Sequence, residues 1–332
     1  MLNLHRIKQL ADHLSVDVKT LVFVAERVDD YCEELIMLDP ARPDKKRNVL
    51  NITGRFRVIQ QRLHERILRQ RLTPSIHSFG GVPKRHIKNN AEVHVDSHFA
   101  LTVDLSNFYP SISHHRVYRL FHEQLRCHTD VARVLTKLCT YKHHLALGLV
   151  TSPILADRIF LPADRQLAEM SRVAKLAYSR FVDDLTFSAQ YDLSPESAGI
   201  LGCVTKIIHG HGFKLNDKTE YGALENVSIT KLRIRRGRVD VNVKYLAEVE
   251  RQISDAARLS RDGPFTGPFY TQAQIRGRTA FISWINPGRR LQLLRQQRAV
   301  NWNQHAFIAQ QRGLIVQRKR LVRAAESDTP KG

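Results

Sequence analysis

The sequence is 332 residues long and strongly basic, with 52 Lys and Arg against 32 Asp and Glu and a formal net charge of +20. Hydrophobic residues make up 42%, with 12 Pro and 16 Gly, which excludes disordered, collagen-like and low-complexity chains. A surface this basic attracts polyanions, so nucleic acid is the leading candidate partner, and an anionic membrane surface is the alternative.

Membrane and secreted classes find little support. No apolar run approaches the roughly 20 residues that a spanning helix needs, and the segment Met1–Arg6 lacks the features of a signal peptide. The cysteines are scattered without a Cys-x-x-Cys motif, which disfavours structural zinc and a disulfide framework. They are Cys32, Cys127, Cys139 and Cys203. We therefore expect a cytoplasmic protein with reduced thiols and no membrane partner.

The first third of the chain is predicted from its apolar spacing and polar breaks. Residues 4–38 show apolar positions at helical spacing and are predicted to be helical. The polar, basic stretch 39–54 is predicted as a loop that leads into a short strand. Residues 56–71 form an amphipathic helical pattern, and 74–98, rich in Gly, Pro, His and Asn, are predicted as a structured loop.

The centre of the chain alternates strands and helices. Residues 99–104 form a short β-prone run that ends on Asp104, and residues 114–140 are predicted to be helical. Residues 174–188 predict a hairpin with Asp183 and Asp184 at its tip. A helix near 196–211 follows, and the tail from Lys244 is predicted to be helical and basic. The pieces between them that resemble strands are 213–216, 227–234 and 238–243.

The tail has an unusual charge pattern. Residues 263–325 contain no Asp or Glu but 11 Arg and Lys. A charge run is usually a solvated face, but 63 residues without one acid favour a lobe that binds a polyanion.

Three carboxylates suggest which chemistry the protein performs on a bound polyanion. If the strands that carry Asp104, Asp183 and Asp184 are neighbours, the acids repel one another unless cations lie between them. Two Mg²⁺ ions about 4 Å apart would relieve the repulsion and support phosphoryl transfer. An Asp-Asp pair alone is weak evidence, because many such pairs cap turns.

Several motifs in a fixed order strengthen this interpretation. Phe181–Asp184 resembles the aromatic-x-Asp-Asp box of the reverse transcriptase palm, and Val103–Ile112 resembles its first palm motif. The family's further motifs are matched, in order, by Gly148–Pro153, Gly212–Thr219 and Ile275–Ile282. Asn90–His94 fits the Asn-Ala-x-x-His element of retron enzymes, while at Ser228–Leu232 only Thr230 agrees with their Val-Thr-Gly. The chain therefore resembles retron-type bacterial reverse transcriptases.

The resemblance implies an α+β fold: a right-hand polymerase with an antiparallel palm sheet, helical fingers and a helical basic thumb. It implies N-terminal helices and fingers over residues 1–98, a palm over 99–243, and a thumb and tail over 244–332.

The resemblance also implies roles at the catalytic centre. Asp104 and Asp183 would hold two Mg²⁺ ions, Asp184 would assist them, and the backbone carbonyl of Leu105 would be a further ligand. Tyr109 would exclude a 2′-hydroxyl, with a core aromatic as the alternative.

Further roles concern the nucleotide and the RNA. Arg47 would bind the triphosphate of the incoming nucleotide. Lys218 would act on the leaving pyrophosphate, and the alternative is that Lys218 is an ordinary surface lysine. RNA contacts are expected at Asn90 and His94. The alternative role for both residues is a hydrogen-bonded clamp within the loop. Thumb contacts are expected at Arg276, Arg289, Arg290 and Arg295.

The implied function is RNA-directed DNA synthesis on a structured non-coding RNA, with dNTPs as substrates and a branched RNA–DNA product (msDNA). The resemblance further implies anti-phage defence with a separate effector protein. Leu147 and Val150 depart from the family's pattern, so an atypical polymerase is expected. The alternatives are another bacterial defence or group II intron-like reverse transcriptase that primes from a 3′-hydroxyl, and an inactive RNA-binding scaffold.

Overall fold

The structure, a computed structural model, describes residues 2–39, 42–316 and 320–323. Its strands are β1 (Cys32–Asp39), β2 (Arg42–Ile52), β3 (Phe99–Leu105), β4 (Ala177–Phe181), β5 (Asp184–Ala189), β6 (Leu215–Ala223), β7 (Leu232–Arg235), β8 (Arg238–Val241) and β9 (Arg320–Arg323). Its helices are α1 (Ile7–Leu14), α2 (Val18–Glu26), α3 (Gly54–Leu63), α4 (Arg69–Arg71), α5 (Ile87–Glu92), α6 (His114–Arg119), α7 (Thr129–Cys139), α8 (Ser152–Val173), α9 (Ser197–Gly210), α10 (Val243–Leu259), α11 (Gln272–Ile285), α12 (Arg290–Arg298) and α13 (Trp302–Gln311).

A four-stranded antiparallel sheet lies at the centre, in the order β4-β5-β3-β6. The inner strand β5 is buried at every position after Asp184, as expected for a strand covered on both faces. The predicted strand at 99–104 and the predicted hairpin at 174–188 are both confirmed.

Helix α8 covers the sheet. It begins where Thr151-Ser152-Pro153 places a proline in the first turn, a position at which the missing N–H of proline costs nothing. Its buried residues Leu155, Phe160 and Leu167 belong to the same core as the sheet residue Phe187. The palm therefore rests on one long helix whose start is set by local sequence.

The fingers differ from the prediction. Helix over residues 4–38 is wrong beyond Tyr31, because Cys32–Asp39 forms β1, and the loop predicted over 39–54 is largely β2. The two strands pair antiparallel, with Met37 opposite Arg47. The charged residues of β2 have low strand propensity on their own, but pairing with β1 outweighs that preference.

The C-terminal tail joins the same sheet. Strand β9 pairs antiparallel with β1, with Leu35 opposite Arg323, so the fingers sheet has the order β2-β1-β9. The expectation of helical fingers and a helical tail is thereby corrected, since neither local sequence reveals a partner about 290 residues away. Elsewhere the helix predicted over 56–71 is confirmed as a continuous run that includes a π-helical turn at His64–Leu68.

A close backbone contact joins strand β2 to the segment before α8. Leu50 of β2 donates its N–H to the carbonyl of Leu147 at 2.8 Å. At Gly148, which has a φ of +112°, an added Cβ would lie 2.0 Å from the carbonyl oxygen of Leu50. Only glycine fits this approach and this conformation.

Residues 243–311 contain the helices α10 to α13, as predicted for the tail from Lys244, and most of them pack around a second hydrophobic core. Strands β7 and β8 form a two-stranded sheet that packs with α10, α11 and α12. The cluster includes Val249, Ile253, Ile275, Ile282 and Leu293. Within the described ranges, no helix combines the length and apolar character needed to cross a membrane.

Candidate active site

The three acids predicted from the sequence meet at one end of the central sheet. Asp104 at the end of β3 lies directly opposite Asp184 at the start of β5. The N–H of Leu105 donates to the carbonyl of Asp183 at 2.9 Å. The condition on which the sequence argument depended, that these strands are neighbours, is therefore met.

The turn that carries Asp183 is strained. Val182 has a φ of +60°, a left-handed conformation that is rare for a β-branched residue. Gly80 faces this turn so closely that an added Cβ would lie 2.5 Å from Cγ2 of Val182. Backbone strain of this kind persists only where the surroundings hold it, and it clusters at functional sites.

The negative charges of the three acids are only partly balanced by nearby cations. Burial and the charge of Asp104 raise the pKa of Asp183 above its usual range. Burial and the charges of Asp183 and Asp104 raise the pKa of Asp184 to about 6. Asn216 donates to Oδ2 of Asp104 at 2.5 Å. Like charges are thus held close together with few protein cations to balance them.

The donor set fits a hard divalent cation. Carboxylate oxygens and backbone carbonyls are the ligands that Mg²⁺ prefers. Within the ranges described, no three or more carboxylate, imidazole or thiol groups are drawn close enough to form a closed metal cluster. The roles of Asp104, Asp183, Asp184 and Leu105 as metal ligands stay predictions.

Two aromatic residues that follow Asp104 closely in the chain occupy different environments. Phe108 is buried, with its ring 5.6 Å from Phe160 and 5.8 Å from Phe213 between centroids. Tyr109 is half-buried beside it, and burial together with the charge of Asp183 raises its pKa to about 12. Tyr109 therefore lies near Asp183, and its role at a nucleotide sugar stays a prediction.

The predicted triphosphate residues lie on strands. Arg47 belongs to β2 rather than to a loop, and its exposed side chain is near enough for its charge to lower the pKa of Asp183. Lys218 belongs to β6, but its side chain lies outside the described part of the structure.

The predicted RNA contacts of the Asn90–His94 element meet a difficulty. Both side chains are fully buried, so neither offers a surface to RNA. His94 is 2.7 Å from the hydroxyls of both Ser188 and Ser179, which supports the alternative of a hydrogen-bonded clamp. The side-chain amide of Asn90 has no hydrogen-bond partner among the described residues. We therefore correct the assignment for His94: it ties the turn that follows α5 to the β4–β5 hairpin.

The thumb arginines divide into two groups. Arg276, Arg290 and Arg295 are exposed, and their contact with RNA stays a prediction. Arg289 instead binds Asp240 with two of its nitrogens, at 2.6 and 3.1 Å. The structure thus gives Arg289 a partner within the protein, which the sequence pattern did not reveal.

A buried ion network beneath the turn that carries Asp183 was not predicted from the sequence. Arg180 is 1% exposed and contacts Asp164 and Asp157 at 2.7 Å each. Its Nη1 also donates to the carbonyl of Val182 at 2.9 Å. Tyr178 donates to Asp164 at 2.7 Å. The available signal was a pair of aspartates seven residues apart on one helix face, together with an arginine inside an apolar strand.

Comparison with known proteins agrees with this geometry. Residues 43–246 match the family described as reverse transcriptase (RNA-dependent DNA polymerase). The match covers more than half of the chain, so the chain belongs to the reverse transcriptase family. The expectation of an enzyme of this class is confirmed.

Individual relatives narrow the resemblance to retrons. The chain is 29% identical over 257 residues to the retron Ec86 reverse transcriptase of Escherichia coli, covering 76% of this chain and 78% of that protein. It is 25% identical to the retron Se72 reverse transcriptase of Salmonella heidelberg, covering 70% and 62%. For the retron Ec48 reverse transcriptase of Escherichia coli the identity is 26%, covering 64% and 54%. The resemblance to retron-type enzymes is confirmed. The chain spans less than two thirds of the length of the Se72 and Ec48 enzymes.

Proposed function

We propose that this chain copies part of a structured non-coding RNA into DNA. The observation that carries the proposal is the strand register that sets Asp104 opposite Asp184. The carbonyl of Asp183 also accepts a hydrogen bond from the N–H of Leu105, the residue after Asp104. Three acids at one end of a sheet, two of them with raised pKa values, suit phosphoryl transfer better than structural support, because repulsion between them destabilises the fold.

The chain's own residues would divide the work. Asp104, Asp183 and Asp184 would hold two Mg²⁺ ions, which when bound supply charge neutralisation for the attacking and leaving oxygens. Arg47 would pair with the triphosphate of the incoming dNTP, since a guanidinium matches phosphate oxygens in a two-point contact. Tyr109 would lie against the sugar and exclude a 2′-hydroxyl.

The retron assignment adds finer proposals. By likeness to the named retron enzymes, the chain would bind its own non-coding RNA, prime from a 2′-hydroxyl of that RNA and make a branched RNA–DNA molecule (msDNA). We further propose anti-phage defence in the cytoplasm with a separate effector protein. Residues 1–98, 99–243 and 244–332 would act as fingers, palm and thumb, with β9 returning to the fingers sheet.

The test is to incubate the purified full chain with dNTPs and Mg²⁺ and to analyse its products. Extension of a primer on an RNA template supports polymerase activity, and its absence from a folded, metal-supplied protein would favour the inactive scaffold. A 2′–5′ branch at the 5′ end of DNA that co-purifies with the chain supports retron priming. A linear DNA joined to a 3′-hydroxyl would favour the group II intron-like alternative.

A further inference from the structure

The tip of the β7–β8 hairpin carries a group of arginines that the polymerase chemistry does not use. Arg235, Arg236 and Arg238 are exposed, and none of their side chains makes a hydrogen bond or ion pair in the described part of the chain. They line a cavity of about 750 Å³ together with Glu225, Asp240, Asn286 and Arg289. We name this cavity and its seven lining residues the hairpin pocket.

The turn holds an arginine against local preference. Arg236 and Gly237 have φ values of +49° and +66°, the pattern of a two-residue hairpin turn that favours Asn-Gly. An L-residue with a Cβ in this conformation costs roughly 1–2 kcal/mol, and asparagine relieves part of that cost. Local folding therefore does not explain why the turn carries an arginine.

Charge within the pocket is only partly balanced. Arg289 is held by Asp240, and this ion pair fixes the thumb wall of the pocket. Glu225 is the other acid that lines it. Four arginines against two acids leave a net charge of +2 in a concave surface. Cations gathered in this way repel one another unless an anion lies between them.

The arrangement of the arginines identifies the kind of anion. Arg235 and Arg238 lie opposite each other on the two strands, and Arg236 lies in the turn between them. Three exposed guanidinium groups on one hairpin suit an anion with several phosphates, such as a nucleic-acid strand, better than a single small anion.

We propose that the hairpin pocket binds backbone phosphates of RNA, with Arg235, Arg236 and Arg238 as the contacting side chains. The guanidinium fork suits paired phosphate oxygens, and the rigid two-residue turn orients three such groups at low entropic cost. Only the choice of RNA as the bound polymer rests on the proposed function. Contacts of this kind are independent of sequence and position the RNA rather than identify it.

The test compares two charge-matched variants of the full chain in binding to an RNA duplex of about 16 base pairs, a length that an RNA-binding domain can span. The pocket variant is Arg235→Gln/Arg236→Asn/Arg238→Gln, and the control is Arg69→Gln/Arg71→Gln/Arg165→Gln, whose arginines are also exposed. The readout is the slope of log affinity against log salt concentration. Each lost phosphate contact lowers that slope by about 0.9.

We expect the pocket variant to lose about 2 to 3 from the slope's magnitude and the control to match the wild type. Equal slopes in all three proteins, or equal losses in both variants, would overturn the pocket, as would a loss seen only with a DNA duplex. Arg236→Asn alone should keep or raise thermal stability and still lose about 0.9, so misfolding does not obscure the result. Since only binding is measured, failure of primer extension would contradict the proposed function without affecting this test.

Discussion

Single residues of the catalytic centre show how far a motif specifies a site. Asp104, Asp183 and Asp184 were predicted from the sequence because each lies at the end of a β-prone run, where strand pairing brings them together. The fully buried state of His94 was not predictable, because a loop histidine carries no local sign of the two serine hydroxyls that it meets. Motif position thus predicted proximity, while burial depended on tertiary packing.

Replacing Tyr109 with alanine should weaken discrimination against ribonucleotides by about tenfold or more, since a steric gate is removed. The measurement is the ratio of ribo- to deoxynucleotide incorporation on an RNA template. Tyr109→Phe is the control, because it keeps the ring and should keep the discrimination. Unchanged discrimination in Tyr109→Ala would assign the side chain to the core beside Phe108.

His94 should make stability depend on acid. Burial lowers the pKa of His94 to about 3 in the folded chain. As pH falls below about 6.5, His94 therefore becomes protonated in the unfolded chain but stays neutral in the folded chain. Stability should therefore decrease with falling pH, by on the order of 1 kcal/mol per pH unit from this residue. Urea unfolding near pH 7 and near pH 5 should show a smaller decrease for His94→Gln than for wild type.

The exposed His115 provides the control for this experiment. His115→Gln should retain the pH dependence of the wild type. An equal decrease in His94→Gln and wild type would show that His94 does not carry the acid sensitivity.

Elements of the fold differ in how well their sequence predicts them. Strands β3 to β5 follow from their β-prone runs and were predicted, and a proline marks the start of α8. The fingers hairpin was not predicted, because the polar residues of β2 resemble a loop until their pairing with β1 is known. The contact of Gly148 with Leu50 likewise depends on two distant segments.

The buried network beneath the catalytic hairpin should both stabilise the palm and position its turn. Arg180→Met leaves Asp157 and Asp164 buried without their cation, which should cost about 3–5 kcal/mol in stability. Arg180→Met/Asp157→Asn/Asp164→Asn removes the charges together and should recover much of that stability. Extension activity should stay low, because the carbonyl of Val182 has lost the Nη1 donor.

Urea unfolding and primer extension, measured on both variants, separate the two roles of Arg180. Low activity at recovered stability indicates that Arg180 positions the turn. Recovery of activity in step with stability would show that the network acts on folding alone.

At the scale of the whole molecule, the palm is the best-predicted part and the links between lobes the least. Strand β9 brings the C-terminal end of the described chain to the fingers through pairing with β1 and an ion pair between Arg323 and Glu33 at 2.7 Å. Such long-range pairing has no local sequence signal. The basic thumb follows from charge counting, but the partner of Arg289 does not.

The central claim is that Asp104, Asp183 and Asp184 form a metal-dependent polymerase centre, and Asp183→Asn tests it most directly. The change is nearly isosteric and relieves repulsion, so thermal unfolding should show a folded variant. Mg²⁺-dependent incorporation of dNTPs on an RNA template should fall on the order of a thousandfold, because loss of a metal ligand removes several kcal/mol of transition-state stabilisation. Extension at the wild-type rate by this folded variant would contradict the account.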